Sequence, residues 1–173
     1  RRLAPLLDSG FDRMLVIKAL IYAGICLPSE ARRLARWIEA LSFEIGLQVA
    51  GDGGHVSRSP AVHFAMFRHL VDLRIALREA RAEVPIALQN AIDRMAPMVR
   101  FHRHGDGGLC LFNDTNEGEN WLIDVVLAQA GCLNQFVTQF IGDEKRLILG
   151  DQARNLARGQ KQLARRACRA CKV

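Results

Sequence analysis

Apolar residues recur at steps of three and four through one stretch after another of this chain. Each stretch is stopped by glycine or proline after about 15–22 residues, the pattern of helix following helix. Leu34, Trp37, Ile38, Leu41, Ile45 and Val49 make the clearest stripe, with Arg32, Arg33, Arg36 and Glu39 off it. An amphipathic helix is expected there, starting at Pro28-Ser29-Glu30 and running to about Ala50. Residues 11–24, FDRMLVIKALIYAG, are apolar nearly all round and suit a buried helix, capped by Asp8 or Ser9 and ended near Gly24. From Pro60 to about Arg81 a third helix places Phe64, Phe67, Val71, Ile75 and Leu77 on one side. Val84-Pro85 opens a fourth with Leu88, Ile92, Met95 and Val99 inward, and Pro97 inside it predicts a kink or an early end. A fifth covers Trp121–Ala130. Beyond Gly131, Gln135–Ile141 and Arg146–Leu149 read as short strands around a Gly142-Asp143 turn, and residues 151–170 as a basic helix. No repeat of residue identity stands out. The expected fold class is all-α, built of antiparallel helical hairpins, with short β-strands near 135–149.

Two loops between these helices carry most of the chemistry. The first is Gly51-Asp52-Gly53-Gly54-His55-Val56-Ser57-Arg58-Ser59, closed by Pro60 at a helix start. The second is His102-Arg103-His104-Gly105-Asp106-Gly107-Gly108, followed by Leu109–Phe112 and Asn113-Asp114-Thr115-Asn116. If consecutive helices run antiparallel, loops 51–59 and 102–120 fall at one end of the array and the plain turns at 25–28 and 81–84 at the other. Asp52, Gly53, Gly54 and Ser59 are read as turn-forming residues, with Ser59 as helix cap. His55 is the candidate base or carboxylate ligand, since imidazole titrates near neutrality, and Arg58 the candidate for paired hydrogen bonds to an acidic group. The alternative for His55 is that, with Asp52, it ties down the turn. Arg103 and His104 add cations to the same face, and Asn113 could hold a hydroxyl. A metal set drawn from Asp52, His55, His104 and Asp106 has no fixed spacing, so no metal and no cofactor is expected.

Composition narrows the partners. The chain has 173 residues, half of them apolar, enough for one substantial core. No apolar run approaches the ~18–20 residues of a membrane span. It opens Arg1-Arg2 without a signal-peptide pattern, as a piece of a longer protein would. The net charge of +6 sits wholly in residues 143–173, which hold nine Lys/Arg against three acids. Such a tail can bind nucleic acid or an acidic partner, but it has no aromatic residue for base stacking, so a solvated end is the simpler reading. Cys168-Arg169-Ala170-Cys171 is a lone pair without the further ligands a zinc site needs.

Asp52-Gly53-Gly54-His55-Val56-Ser57-Arg58-Ser59-Pro60, with Ile92-Asp93-Arg94-Met95-Ala96-Pro97-Met98, Arg103-His104-Gly105-Asp106-Gly107 and Leu20-Ile21-Tyr22-Ala23-Gly24, resembles the heparinase II/III-like proteins of alphaproteobacteria. The resemblance implies that residues 1–131 are part of an N-terminal (α/α) toroid. Residues 132–149 would begin a truncated β-sandwich, and 150–173 form the basic tail. It implies polysaccharide lyase chemistry, β-elimination on uronate-containing acidic polysaccharides, with His55 catalytic and Arg58, Arg103, His104 and Asn113 binding substrate. The missing β-sandwich of the same parent chain would be a partner, and the periplasm or cell envelope the location. This chain has Val62 where such lyases often place a Tyr before the His, and Phe11-Asp12 where they carry Asn-His. A non-catalytic carbohydrate-binding module and a nucleic-acid or acidic-partner binder acting through the tail are the alternatives.

Overall fold

The apolar stripes become helices wherever glycine and proline leave them room. The computed structural model describes residues 10–118 and 120–131. Five α-helices lie among them: α1 (Phe11–Cys26), α2 (Leu34–Gln48), α3 (Pro60–Glu79), α4 (Ile86–Phe101) and α5 (Asn120–Gln129), with a 3-10 turn at Ala31–Arg33 ahead of α2. The all-α expectation is what the structure shows. The strands expected at 135–149, the basic tail at 150–173 and the caps Asp8 and Ser9 lie outside the described residues.

By packing, the chain divides between Asn120 and Trp121. In the first unit the helices form two hairpins. The start of α1 meets the end of α2, where the Gly10 N–H donates to Glu44 Oε1 at 2.8 Å, and the end of α1 meets the start of α2 at Gly24 and Leu34. Likewise His63 near the start of α3 bonds the Met95 carbonyl late in α4, while Arg74 near the end of α3 reaches Gln89 early in α4. Both pairs are therefore antiparallel. Met14, Ile17 and Ile21 of α1, Leu41 and Ile45 of α2, Met66, Phe67, Leu70 and Leu73 of α3, and Leu88, Ile92 and Met95 of α4 are buried. Each such side chain contributes roughly 1.5–3 kcal/mol relative to exposure. Of the second unit's described residues, Ile123, Val125, Val126 and Leu127 of α5 are buried.

Four local expectations need correction. Helix α1 runs through Gly24 to Cys26. A Cβ at Gly24 would lie 3.2 Å from Leu34 Cβ, so this glycine serves close helix approach and not termination. Helix α2 proper begins at Leu34, later than the Pro28-Ser29-Glu30 start, because those residues form turns and a 3-10 segment. Helix α4 continues past Pro97 to Phe101, with Pro97 on its exposed side. On α3, Phe64 and Ile75 are half-buried, while Met66, Leu70 and Leu73 are buried, because this helix packs on both α1 and α4.

The structure also reveals an internal repeat. Gly51-Asp52-Gly53-Gly54 recurs as Gly105-Asp106-Gly107-Gly108. In each copy the Asp Oδ1 accepts from the last Gly N–H, at 2.9 and 2.8 Å, and the third position has positive φ, 84° at Gly53 and 89° at Gly107. The antiparallel bridges Val49–His55 and Arg103–Leu109 close the two turns in the same register. The backbone bonds match too: Val56 N–H to Gln48 O and Cys110 N–H to His102 O. Carrying the register back aligns Leu34, Ile38, Leu41 and Ile45 with Leu88, Ile92, Met95 and Val99. Helices α2 and α4 are equivalent, each ending in the same turn.

Candidate functional site

The first glycine turn is fastened from within. Asp52 Oδ2 pairs with Arg58 Nη1 at 2.6 Å, and this guanidinium, with the Gly54 N–H, holds the Asp52 carboxyl below its ordinary range. Both side chains stay about half exposed, so the pair adds little stability. Arg58 sits at φ 54°, a left-handed conformation that costs about 1 kcal/mol without a glycine. Its carbonyl accepts from Asn113 Nδ2 at 3.0 Å, which ties the second loop to the first.

His55 is 5% exposed, and both its ring nitrogens are engaged. The Ser57 N–H donates to Nδ1 at 3.1 Å, and a backbone amide can only donate, so Nδ1 carries a lone pair and Nε2 the hydrogen. Nε2 then donates to Gln48 Oε1 at 3.1 Å. Gln48 Nε2 donates in turn to the Gly10 carbonyl and to Glu44 Oε1, each at 2.7 Å. Glu44 is fully buried, with Arg13 Nε 3.2 Å from its second oxygen. A continuous polar chain therefore runs from Arg13 through Glu44 and Gln48 to His55. Burial lowers the His55 pKa, and the bond from Ser57 N–H favours the same neutral form. A base there would first have to give up that bond.

Helix α3 is capped twice. Ser59 Oγ accepts from Val62 N–H at 3.4 Å, and Thr115 Oγ1, from the second loop, accepts from Ala61 N–H at 3.0 Å. The two polar loops thus lie against one another. Between them opens a cavity of about 120 Å³ lined by His55, His63, His102, Arg58, Met98 and Phe112, among others. His63 and His102 are 1% and 8% exposed, with ring centroids 5.5 Å apart, edge to face. His63 Nε2 donates to the Met95 carbonyl at 3.2 Å, yet Nδ1 of His63 and Nδ1 of His102 have no hydrogen-bond partner. Burial pushes the His63 pKa down to about 4, and lowers that of His102 as well.

The structure brings His55, Arg58, Ser59 and Asn113 together. Arg103 Nε instead donates to the Gly107 carbonyl inside the second turn, and His104 is exposed there. Beside His55, the buried imidazoles that line the cavity are His63, given no role from the sequence, and His102, weighed there only as a cation at a solvated helix end. The repeat could have shown that His102 is buried, because it occupies the position of Gln48. Among the described residues no group of three or more His, Cys, Asp or Glu is placed to hold a metal ion. Phe112 of the lining is exposed, as are Val56, Phe101 and Leu111, the chain neighbours of His55, His102 and Phe112, Phe101 by 77%.

No known protein family matches the chain, and no solved structure matches it. The chain is similar to FtsZ-localized protein C of Caulobacter vibrioides, 38% identical over 76 residues. The match covers 44% of this chain and 13% of that protein, so the chain spans only a small part of its relative. This overturns the heparinase II/III-like resemblance: no such family matches, and the chain is instead similar to a protein named as FtsZ-localized. Lyase chemistry by β-elimination and acidic-polysaccharide binding go with it. So do the carbohydrate-binding module, the β-sandwich partner and the nucleic-acid reading. Among the described residues no helix is long and apolar enough to cross a membrane.

Proposed function

We propose that this chain is a helical interaction module of a protein that works with the FtsZ-based division machinery. The observation that carries this reading is the 38% identity over 76 residues to a protein named for its localisation with FtsZ. The geometry supports it in two ways. Hairpins fastened by the Arg13–Glu44–Gln48–His55 chain make a rigid scaffold on which loop residues are held in place. Exposed Phe112 and the half-exposed Arg58 guanidinium line the cavity, and their chain neighbours and those of His102 add exposed Leu111 and Phe101, the mixture of aromatic and Arg residues that protein contacts favour. Arg58 offers a partner a half-exposed guanidinium and His104 an exposed imidazole, Asn113 holds the Arg58 carbonyl, and Arg103 braces the second turn.

A fluorescent fusion of the complete parent protein, imaged with labelled FtsZ, tests the reading. The expected result is coincident bands that disperse when FtsZ is depleted. Diffuse fluorescence in cells with intact FtsZ rings would overturn it. Phe101→Ser with Leu111→Ser should weaken the band about tenfold or more if this face makes the contact, as loss of one anchor of about 1.4 kcal/mol implies.

A further inference from the structure

In the first repeat, Gln48 and His55 satisfy one another across the turn; in the second, the same positions hold His102 and Leu109. The imidazole of His102 has therefore kept a buried place opposite a side chain that can neither donate nor accept. It rests instead edge-on against His63 and against Phe112, at centroid distances of 5.5 and 6.0 Å. His63 is on α3, His102 caps α4, and Phe112 belongs to the loop that also supplies Asn113 and Thr115. This contact is thus the seam at which the second loop closes on the first.

We propose that the His63–His102 pair is an acid-sensitive latch: charging either ring releases the 102–118 loop from α3 and the glycine turn and opens the cavity between them. Charge has no outlet at the seam. A proton on either Nδ1 would meet no acceptor, and two charged rings would repel. The groups facing His63 are His102 at the α4 cap, His55 in the glycine turn and Asp52 in the same turn. The one carboxylate among them is already paired with Arg58. From α4 itself His63 meets the Met95 carbonyl, which is occupied by Nε2–H. Arg58, the other charged residue lining the cavity, is a cation. Burial and the neighbouring imidazoles therefore favour neutral rings while the loop is shut, outweighing the Met95 carbonyl and the Asp52 carboxylate, which favour charge, and opening lets water solvate the charge.

The test is hydrogen exchange on the full chain, with peptides covering 102–118 corrected for the intrinsic pH dependence of exchange. If the His63 pKa returns from about 4 to its ordinary 6.5 on opening, the opening equilibrium rises about thirtyfold between pH 7.5 and pH 5. Loop protection should fall by that factor while peptides of α1 and α2 keep theirs. His102→Gln, which restores the amide of the first repeat, should reduce the pH effect, and His63→Gln with His102→Gln should abolish it. His69→Gln, on the far side of α3 from this seam, should leave the loop's response unchanged. A loop whose protection changes less than about threefold in the native protein would overturn the proposal, as would a double variant that keeps the full response. Should the double variant fail to fold, the ring-proton resonances of His63 and His102 in the native protein decide. They must titrate together with loop opening, and titration without opening overturns the latch.

Discussion

At the scale of single residues, Gly53 and Thr115 carry more than their size suggests. Gly53 has φ 84°, and a Cβ there would collide with the Arg94 carbonyl oxygen and lie 2.8 Å from its carbon. Both are backbone atoms that cannot swing aside. Gly53→Ala should therefore cost about 3 kcal/mol in chemical denaturation, whereas Gly51→Ala, with open space around it, should change stability by less than about 0.5 kcal/mol. Acid sensitivity is also a residue property. His63 and His69 are held down to about 4, His63 mainly by burial and His69 by burial and the Lys18 ammonium 2.8 Å from its Nδ1. Their folded pKa values lie below the unfolded value near 6.5, so the unfolded chain binds more protons between those limits. Stability is then complete above pH 6.5 and is lost as pH falls toward 4. His63 alone contributes a loss of about 2 kcal/mol between pH 7.5 and 5, visible as a lower Tm.

At the scale of elements, the helices were legible and their ends less so. Steps of three and four marked α2 and α4 because one face of each is buried and the other wet, which is what a stripe records. The buried sides of α3 exceed one stripe because two helices cover it, so Met66, Leu70 and Leu73 escaped a single-face reading. Pro97 suggested a kink in α4 or an early end, and the helix does not end there. Its missing N–H leaves the Asp93 carbonyl without its helical donor, and Pro97→Ala should raise stability by about 1 kcal/mol in urea melts. The buried carboxylate Glu44 joins α1 to α2 by accepting from Gly10 N–H and Gln48 and pairing with Arg13. Glu44→Leu leaves those donors unmet in the interior and should cost about 3 kcal/mol or more, with α1 peptides losing exchange protection first. Nothing in residue type announced this chain of contacts. Glu44 lies on the apolar face of α2, where only three-dimensional pairing makes a charge tolerable.

At the scale of the molecule, the repeat was present in the letters as two GDGG runs. It stayed hidden because helix positions share hydrophobic character while differing in identity. That the two polar loops meet at one end followed from counting antiparallel helices, and the Asn113–Arg58 and Thr115–Ala61 bonds show them meeting. The role of the site was not legible. The same glycine, histidine and arginine residues suit a turn, a ligand cleft or a protein contact, and residue type does not separate these. The double cap of α3 has a consequence for synthesis. Thr115 closes the first turn of a helix that begins 55 positions earlier, so the growing chain carries the start of α3 without that acceptor until the second loop is made. The nascent α3 must fray at Pro60–His63 until the second loop arrives and completes it. A chain truncated after residue 111 should therefore exchange these amides several-fold faster than one that includes Thr115, about fivefold for a cap worth about 1 kcal/mol. The last-made polar loop would then be what fixes the beginning of a helix made long before it.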